Sequence, residues 1–238
     1  MKGPYGLELN DGCKGCKTKA AGFFCQLPPA ALKDLDAIKS TSTYPKGALL
    51  FMERQDARGA FILCEGEVKL SISSSEGKTL IMRVAKAGEI LGLMAALSGG
   101  SYEVTAETLH PCQVAFIRRE DFQRFVANHP EASQGVARQM TMQYQAACEQ
   151  LRTVGLSTSA QEKLARLLLA WSAGIAQTKG GTRIKVPLTH EEIAEFIGTT
   201  RETVTRTLSD FKVRHLVAIQ GSTLMIPSRA ALESFANG

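Results

Sequence analysis

Two hydrophobic periods divide the chain. Between residues 28 and 128, short apolar segments recur at Ala48–Met52, Ala60–Leu63, Val68–Ile72, Leu80–Val84 and Cys112–Ile117, punctuated by Gly47, Gly66, Gly77 and Gly88. Short apolar runs between glycine turns predict a barrel or sandwich of short strands, with SEGK at Ser75–Lys78 as a hairpin turn. From His129-Pro130 the period lengthens: Val136, Met140, Tyr144, Ala147, Leu151 and Val154 recur every three or four positions, which predicts an amphipathic helix. Its stripe is narrow and near-heptad, so it suits either the adjoining domain or a parallel helix from a second subunit. Beyond residue 157 the elements shorten to a helix from about Ser159 to Ala176, a turn at Lys179–Gly181, two helices and a small hairpin. The chain therefore divides into a polar segment 1–27, a β-rich domain 28–128, a long helix 129–156 and a C-terminal domain 157–238, an α+β arrangement.

The C-terminal domain carries the most specific pattern. In LTHEEIAEFIG, Thr189 caps a short helix whose apolar set is Ile193, Phe196 and Ile197. Gly198 permits a tight turn, and TTRETVTRTLSDF restarts a helix at Thr199 or Thr200 with Val204, Leu208 and Phe211 on its buried side. Arg201, Glu202, Thr205 and Arg206 then lie on the opposite side near its N-terminal end, the geometry of a helix–turn–helix whose second helix enters the DNA major groove. The residue types suit the task, since Arg forks to guanine O6 and N7 and Glu accepts from cytosine N4. Lys212 and Arg214 stand where phosphate contact would fix the register. LVAIQGSTLMI predicts a two-stranded wing around Gly221-Ser222.

Composition narrows the function classes. Hydrophobic residues make up 44% of 238, enough for a packed core, and the net charge of +5 permits an anionic partner without requiring one. No apolar run spans a bilayer and no secretory leader is visible, so a cytoplasmic protein with no membrane partner is expected. The chain contains no P-loop, GxSxG elbow, HExxH helix or Rossmann glycine fingerprint, which points away from an enzyme.

Three of the six cysteines crowd into CKGCKTKAAGFFC, Cys13 to Cys25. In a reducing compartment such a cluster is a ligand set or sensor rather than a disulfide framework. Cys13 and Cys16 lie in a polar segment with no core to bury them, and Lys14, Lys17 and Lys19 would favour their thiolates. Cys64, inside an apolar run, reads as core, and Cys148 as helix packing or surface. An iron–sulfur cluster, an all-cysteine zinc site and a reversible thiol pair all remain open.

The whole pattern resembles the CRP/FNR family, which includes the cyclic-AMP receptor protein and the fumarate–nitrate reduction regulator. KGALLFMERQDARGAFILCEGEVKL is similar to the family's β-roll opening, AGEILGLMAALSGGSYEVTAE to its effector-site segment and RETVTR to its recognition helix. The resemblance implies an N-terminal cyclic-nucleotide-binding-like β-roll (a jelly roll), a long dimerisation helix and a C-terminal winged helix–turn–helix. It also implies a homodimer on a palindromic operator with half-sites about one DNA turn apart, and RNA polymerase as a further partner. Arg201, Glu202 and Arg206 match the family's base readers; Thr200, Thr205 and Lys212 complete the expected DNA-binding surface. The helix stripe Val136, Met140, Tyr144, Ala147, Leu151 and Val154 becomes the expected dimer interface. Cyclic AMP is not expected: the matching ribose and phosphate positions are Gly92-Leu93 and Tyr102-Glu103, where leucine and tyrosine replace the family's carboxylate and arginine. In the oxygen-sensing branch, which the chain resembles, three N-terminal cysteines and a fourth within the roll hold a 4Fe-4S cluster. The matching ligands here are Cys13, Cys16, Cys25 and Cys112, although the gap before Cys25 is longer than in the best-known member. The implied function is a DNA-binding regulator in which an intact cluster favours dimerisation and oxygen, nitric oxide or redox change releases it. A small ligand in the roll other than cyclic AMP, or zinc or thiol redox at the cysteines, is the alternative input.

Overall fold

A computed structural model describes residues 3–7, 9, 12–13, 16, 22–178, 180–221 and 223–236. Two compact units result, Met1–Ala146 and Ala147–Gly238. The division falls inside the long helix, so the expected separate helical region is shared between the two.

In the first unit, helix α1 (Pro29–Ile38) leads into eight strands: β1 (Lys39–Tyr44), β2 (Leu49–Phe51), β3 (Gly59–Glu65), β4 (Glu67–Ser73), β5 (Thr79–Lys86), β6 (Ile90–Leu91), β7 (Thr105–Thr108) and β8 (Cys112–Arg118). They form two four-stranded sheets ordered β1-β8-β3-β6 and β2-β7-β4-β5, with antiparallel pairing throughout. Helices α2 (Leu93–Ser98), α3 (Arg119–Asn128) and α4 (Pro130–Leu156) complete the order. The five expected strands are all present and the SEGK segment joins β4 to β5. The short polar strands β1 (KSTSTY) and β7 (TAET) carry no apolar run and were not expected.

Alternation along β3 and β8 separates two cores. Phe61, Leu63, Cys112 and Val114 point into the roll with Phe51, Val68, Leu70, Tyr102 and Ala106. Ala60, Ile62, Ala115 and Ile117 face outward onto α1, α3 and the start of α4, where Phe24, Leu35, Phe122, Phe125 and Val136 join them. Burying both faces of one sheet is what makes β3 and β8 read as continuous apolar runs.

The second unit holds α5 (Ala160–Ser172), β9 (Thr182–Lys185), α6 (His190–Ile197), α7 (Arg201–Val213), β10 (Ala218–Gln220), β11 (Thr223–Ile226) and α8 (Arg229–Ala236). The wing is three-stranded, ordered β10-β11-β9, one strand more than the expected hairpin. Lys179 and Ser222, part of the expected turns, lie outside the described residues. Leu164 and Leu168 of α5 are fully buried, and Phe211 of α7 meets Phe235 of α8 edge-on at 5.3 Å. Among the described residues no helix is long and apolar enough to cross a membrane.

Candidate functional sites

The helix expected to enter the groove, α7, is built by its caps. Thr189 and Glu192 form a capping box at the start of α6, which satisfies two of the amides that a helix N-terminus leaves open. Gly198 ends α6 with φ 66°, a left-handed conformation that costs an L-residue about 1–2 kcal/mol and glycine almost nothing. Thr200 then caps α7, its hydroxyl accepting from the Thr203 amide at 3.3 Å. Val204, Thr207, Leu208 and Phe211 bury one face of α7, and Arg201, Glu202, Thr205, Arg206 and Lys212 are left exposed, as expected. Its own backbone amide, at the helix N-terminus, and then the Thr200 hydroxyl hold the Glu202 carboxyl below its ordinary value, so it stays an acceptor. His190, in the first turn of α6, places Nδ1 2.9 Å from Thr205 Oγ1 and so ties α6 to the exposed face of α7. Arg214 is drawn to Asp210 at 3.0 Å.

The expected dimer stripe separates along its length. Val136 is buried in its own unit's core, which corrects its placement as an interface residue. Met140, Tyr144 and Leu151 stand exposed, at 38%, 73% and 67%, while Ala147 and Val154 are half-buried.

The roll interior is aromatic where a nucleotide phosphate would be held. Tyr102 is buried, its ring stacked 4.0 Å from Phe51 and its hydroxyl donating to the Gly59 carbonyl at 2.8 Å. Phe61 packs beside Phe51 at 5.3 Å, and Phe116 beside Phe61 at 4.9 Å. Leu93 is buried at the start of α2 and Glu103 is exposed.

Cys13, Cys16 and Cys25 line one small cavity on the outer face of the β1-β8-β3-β6 sheet, together with Lys39, Thr41, Ile62, Cys64 and Ala115. The cavity holds about 20 Å3, so a multi-atom group would spread the sulfurs apart. The donor chemistry fits an iron–sulfur cluster, which takes cysteine thiolates. Among the described residues, no three or more His, Cys, Asp or Glu converge closely enough to hold a single metal ion. Lys14, Lys17 and Lys19 lie outside the described residues; among those described, Lys39 reaches a sulfur, its Nζ donating to Cys13 Sγ at 3.0 Å. Burial nonetheless raises the Cys13 thiol, and pushes Cys25 up to about 11 and Cys64 up to about 12, with neighbouring sulfurs adding to the last two. At Cys13 and Cys25 desolvation outweighs the one cation described beside them, Lys39, while the expected effect of Lys14, Lys17 and Lys19 falls on residues outside those described.

Cys112 is not at this cavity. Its thiol faces the carbonyls of His110 (3.1 Å) and Glu67 (3.5 Å) inside the roll, beside Gly66, where a Cβ would stand 2.5 Å from its sulfur. Burial raises it as well. The sheet itself lies between Cys112 and the other three expected ligands, while Cys64, expected as core, lines the cavity. Cys148 is half-buried on α4.

Sequence reasoning missed what ties this segment to α4. Cys25 sits in a short 3-10 turn, Phe23–Gln26. Phe23 and Phe24 of that turn lie over Gly135, where a Cβ would stand 3.4–3.5 Å from their side chains, and Arg138 lies over the Phe23 ring at 5.6 Å. Farther along α4, the Gln139 side chain bonds both the amide and the carbonyl of Ile90 in β6, at 3.1 and 2.6 Å.

Residues 41–129 match the cyclic nucleotide-binding domain and residues 162–235 the Crp-like helix-turn-helix domain. The chain is 24% identical over 207 residues to a CRP-like cAMP-activated global transcriptional regulator of Mycobacterium tuberculosis, covering 87% of this chain and 92% of that protein. It is 24% identical over 220 residues to the nitrogen fixation regulation protein FixK of Bradyrhizobium diazoefficiens, covering 91% of each. In fold it is similar to FixK2 from Bradyrhizobium japonicum (TM-score 0.72, 20% identity, 83% of this chain and 97% of that one). A CooA mutant from Carboxydothermus hydrogenoformans is similar too (TM-score 0.74, 20% identity, 84% and 88%).

Proposed function

The chain belongs to the CRP/FNR family, whose members are transcriptional regulators and not enzymes and bind DNA through the helix–turn–helix, and we propose that it is a cytoplasmic homodimer reading a palindromic operator under the control of an iron–sulfur cluster at its N-terminal cysteines. Cys13, Cys16 and Cys25 supply three thiolates. The bound group would supply iron and sulfide that react with oxygen or nitric oxide, making the regulator a sensor of those gases or of redox state. RNA polymerase is the expected partner once the protein is on DNA.

The observation that carries this reading is the position of Cys25. It lines the cysteine cavity, and in the same turn Phe23 and Phe24 pack on α4 at Gly135. Whatever tightens or loosens the cysteine segment therefore acts on the helix whose exposed Met140, Tyr144 and Leu151 await a second subunit. A bistable segment biased by one site is the form such switches take. On DNA, Arg201, Glu202 and Arg206 are exposed to read base edges, with Lys212 placed for a phosphate. The aromatic filling of the roll around Tyr102 favours the cysteines over the roll interior as the input. Burial raises the thiols of Cys13 and Cys25, which argues against a free low-pKa thiol pair.

Anaerobic purification followed by absorption spectroscopy and a gel shift on a palindromic probe tests the proposal. A brown protein that binds the probe and loses both colour and affinity in air is expected. A colourless, iron-free protein after anaerobic reconstitution would overturn the cluster. Zinc held in its place would overturn the cluster in favour of a zinc site at the same cysteines.

A further inference from the structure

The cavity beside the N-terminal segment is lined by four cysteines: Cys13, Cys16, Cys25 and Cys64. The first three come from the segment before α1, the fourth from β3. Strand parity puts Cys64 there. Ala60 and Ile62 face outward from the roll, Phe61 and Leu63 inward, and Cys64 continues the outward set. The ladder marks the same residue: Leu63 pairs with Val114 and Glu65 with Gln113, so Cys64 is the extra residue of a β-bulge. Bulges re-aim a side chain and recur beside functional sites. Thr41 of β1 and Ala115 of β8, paired across the sheet, line the cavity next to it.

Cys112 has the opposite parity. Together with Val114 it points into the roll, where Gly66 leaves room for its sulfur. Turning it outward would require β8 to slip by one residue, which would expel Val114 from the core and push Ala115 and Ile117 into it.

Resting on the iron–sulfur reading above, we propose that Cys64 is the fourth thiolate of the N-terminal site and that Cys112 is a core thiol. Each of the four thiols gives its proton to solvent as its sulfur binds iron. Ligation at Cys64 anchors the group to β3, which pairs with β6 through Phe61–Leu91 and Ile62–Ile90. Ile90 is the residue clasped by Gln139 of α4. The site thus touches α4 by two routes, through Phe23 and Phe24 on one side and through β3 and β6 on the other.

The test reconstitutes the full chain anaerobically with ferrous iron and sulfide under thiol reductant. It measures iron and acid-labile sulfide per chain and visible absorption for wild type, Cys64→Ser, Cys64→Ala and Cys112→Ser, with circular dichroism to confirm folding. Wild type and Cys112→Ser are expected to hold about four irons, and both Cys64 variants at most half as much with an altered spectrum. Full iron in the Cys64 variants overturns this assignment while leaving the cluster standing; an iron-free wild type overturns the cluster and the assignment with it. Hydrogen exchange on the wild type asks the same question without a substitution. Loading is expected to slow exchange at Leu63–Gly66 at least tenfold, and unchanged exchange there overturns the assignment even if the variants fail to fold.

Discussion

Lys39 Nζ lies 3.0 Å from Cys13 Sγ and 2.6 Å from Asp36 Oδ1. Both Asp36 carboxylate oxygens accept from the Cys13 amide at 3.1 Å, so one acid–lysine pair from the α1–β1 junction grips the first cysteine by backbone and by sulfur. Burial alone would raise the Asp36 carboxyl; the bonds from Lys39 and the Cys13 amide outweigh it and hold the group below its ordinary 3.8.

A depressed carboxyl stabilises the fold above its unfolded value and loses that contribution as pH falls through its lower folded value. The urea midpoint of wild type is expected to exceed that of Asp36→Asn at pH 5 and above, and the gap is expected to close as pH drops below 3.8. A gap independent of pH would mean that the pairing contributes by packing alone. Lys39→Met should also lower the midpoint, since it leaves Asp36 with its charge partly buried and unpaired.

The contact of Phe23 and Phe24 with Gly135 predicts a separation of binding from response. Phe23→Ala removes the ring under Arg138, a contact of about 0.5–1 kcal/mol, without touching a cysteine. Iron content and colour should match wild type, while the drop in DNA affinity on exposure to air should shrink several-fold. An unchanged air response would show that the signal runs elsewhere.

Legibility followed local chemistry. The helix–turn–helix was readable because every device is contiguous in sequence: Thr189 with Glu192, Gly198, Thr200, then Val204, Leu208 and Phe211. The polar strand β1 was not, because its stability comes from pairing with β8 at the sheet edge and not from its own apolar residues. Cys64 and Cys112 both sit in apolar runs, and alternation alone places them on opposite faces. What the sequence could not show is that a second core, built by Phe24, α1 and α3, covers the outward face of β3. Without it an outward cysteine in an apolar run reads as ordinary packing. The contacts of Gln139 with Ile90 and of His190 with Thr205 cross 49 and 15 residues, and no local pattern announces them.

Tyr102 predicts the behaviour of the roll. Tyr102→Phe should cost about 1 kcal/mol by leaving the Gly59 carbonyl without its hydroxyl donor. Tyr102→Ala should cost about 3–5 kcal/mol by opening a cavity against Phe51. Chemical denaturation measures both. Millimolar cyclic AMP should leave the melting temperature of wild type unchanged, and a clear rise would return the roll interior to the list of inputs.

On DNA, base readers and phosphate binders should separate by salt. Arg206→Ala is expected to cost about 1–3 kcal/mol and relax preference at one operator position; Glu202→Ala should do the same at a neighbouring one. Lys212→Ala should weaken all sequences alike and reduce the salt slope by about one. Fluorescence anisotropy on a set of single-substitution operators over 50–300 mM salt distinguishes the two classes. His190→Ala, which removes the contact with Thr205, should lower affinity less than either reader.

The exposed stripe on α4 makes the last prediction. Tyr144 and Leu151 are 73% and 67% exposed in the single chain, so a charge there disturbs little of the fold, within about 0.5 kcal/mol. In a dimer seam of near-heptad spacing the same charge would face its own copy across an apolar interface, where an unpaired carboxylate is costly. Tyr144→Glu and Leu151→Glu are therefore expected to keep the wild-type circular dichroism and melting temperature of the monomer while shifting the chain to a monomer in sedimentation velocity. Binding to a palindromic operator should fall by at least tenfold, and binding to an isolated half-site should not change. Val136→Glu separates interface from core: Val136 is buried among Phe24 and Ala132, so that substitution should unfold the first unit instead of dissociating a folded pair. Dimers that survive Tyr144→Glu and Leu151→Glu together would move the subunit contact off this face of the helix.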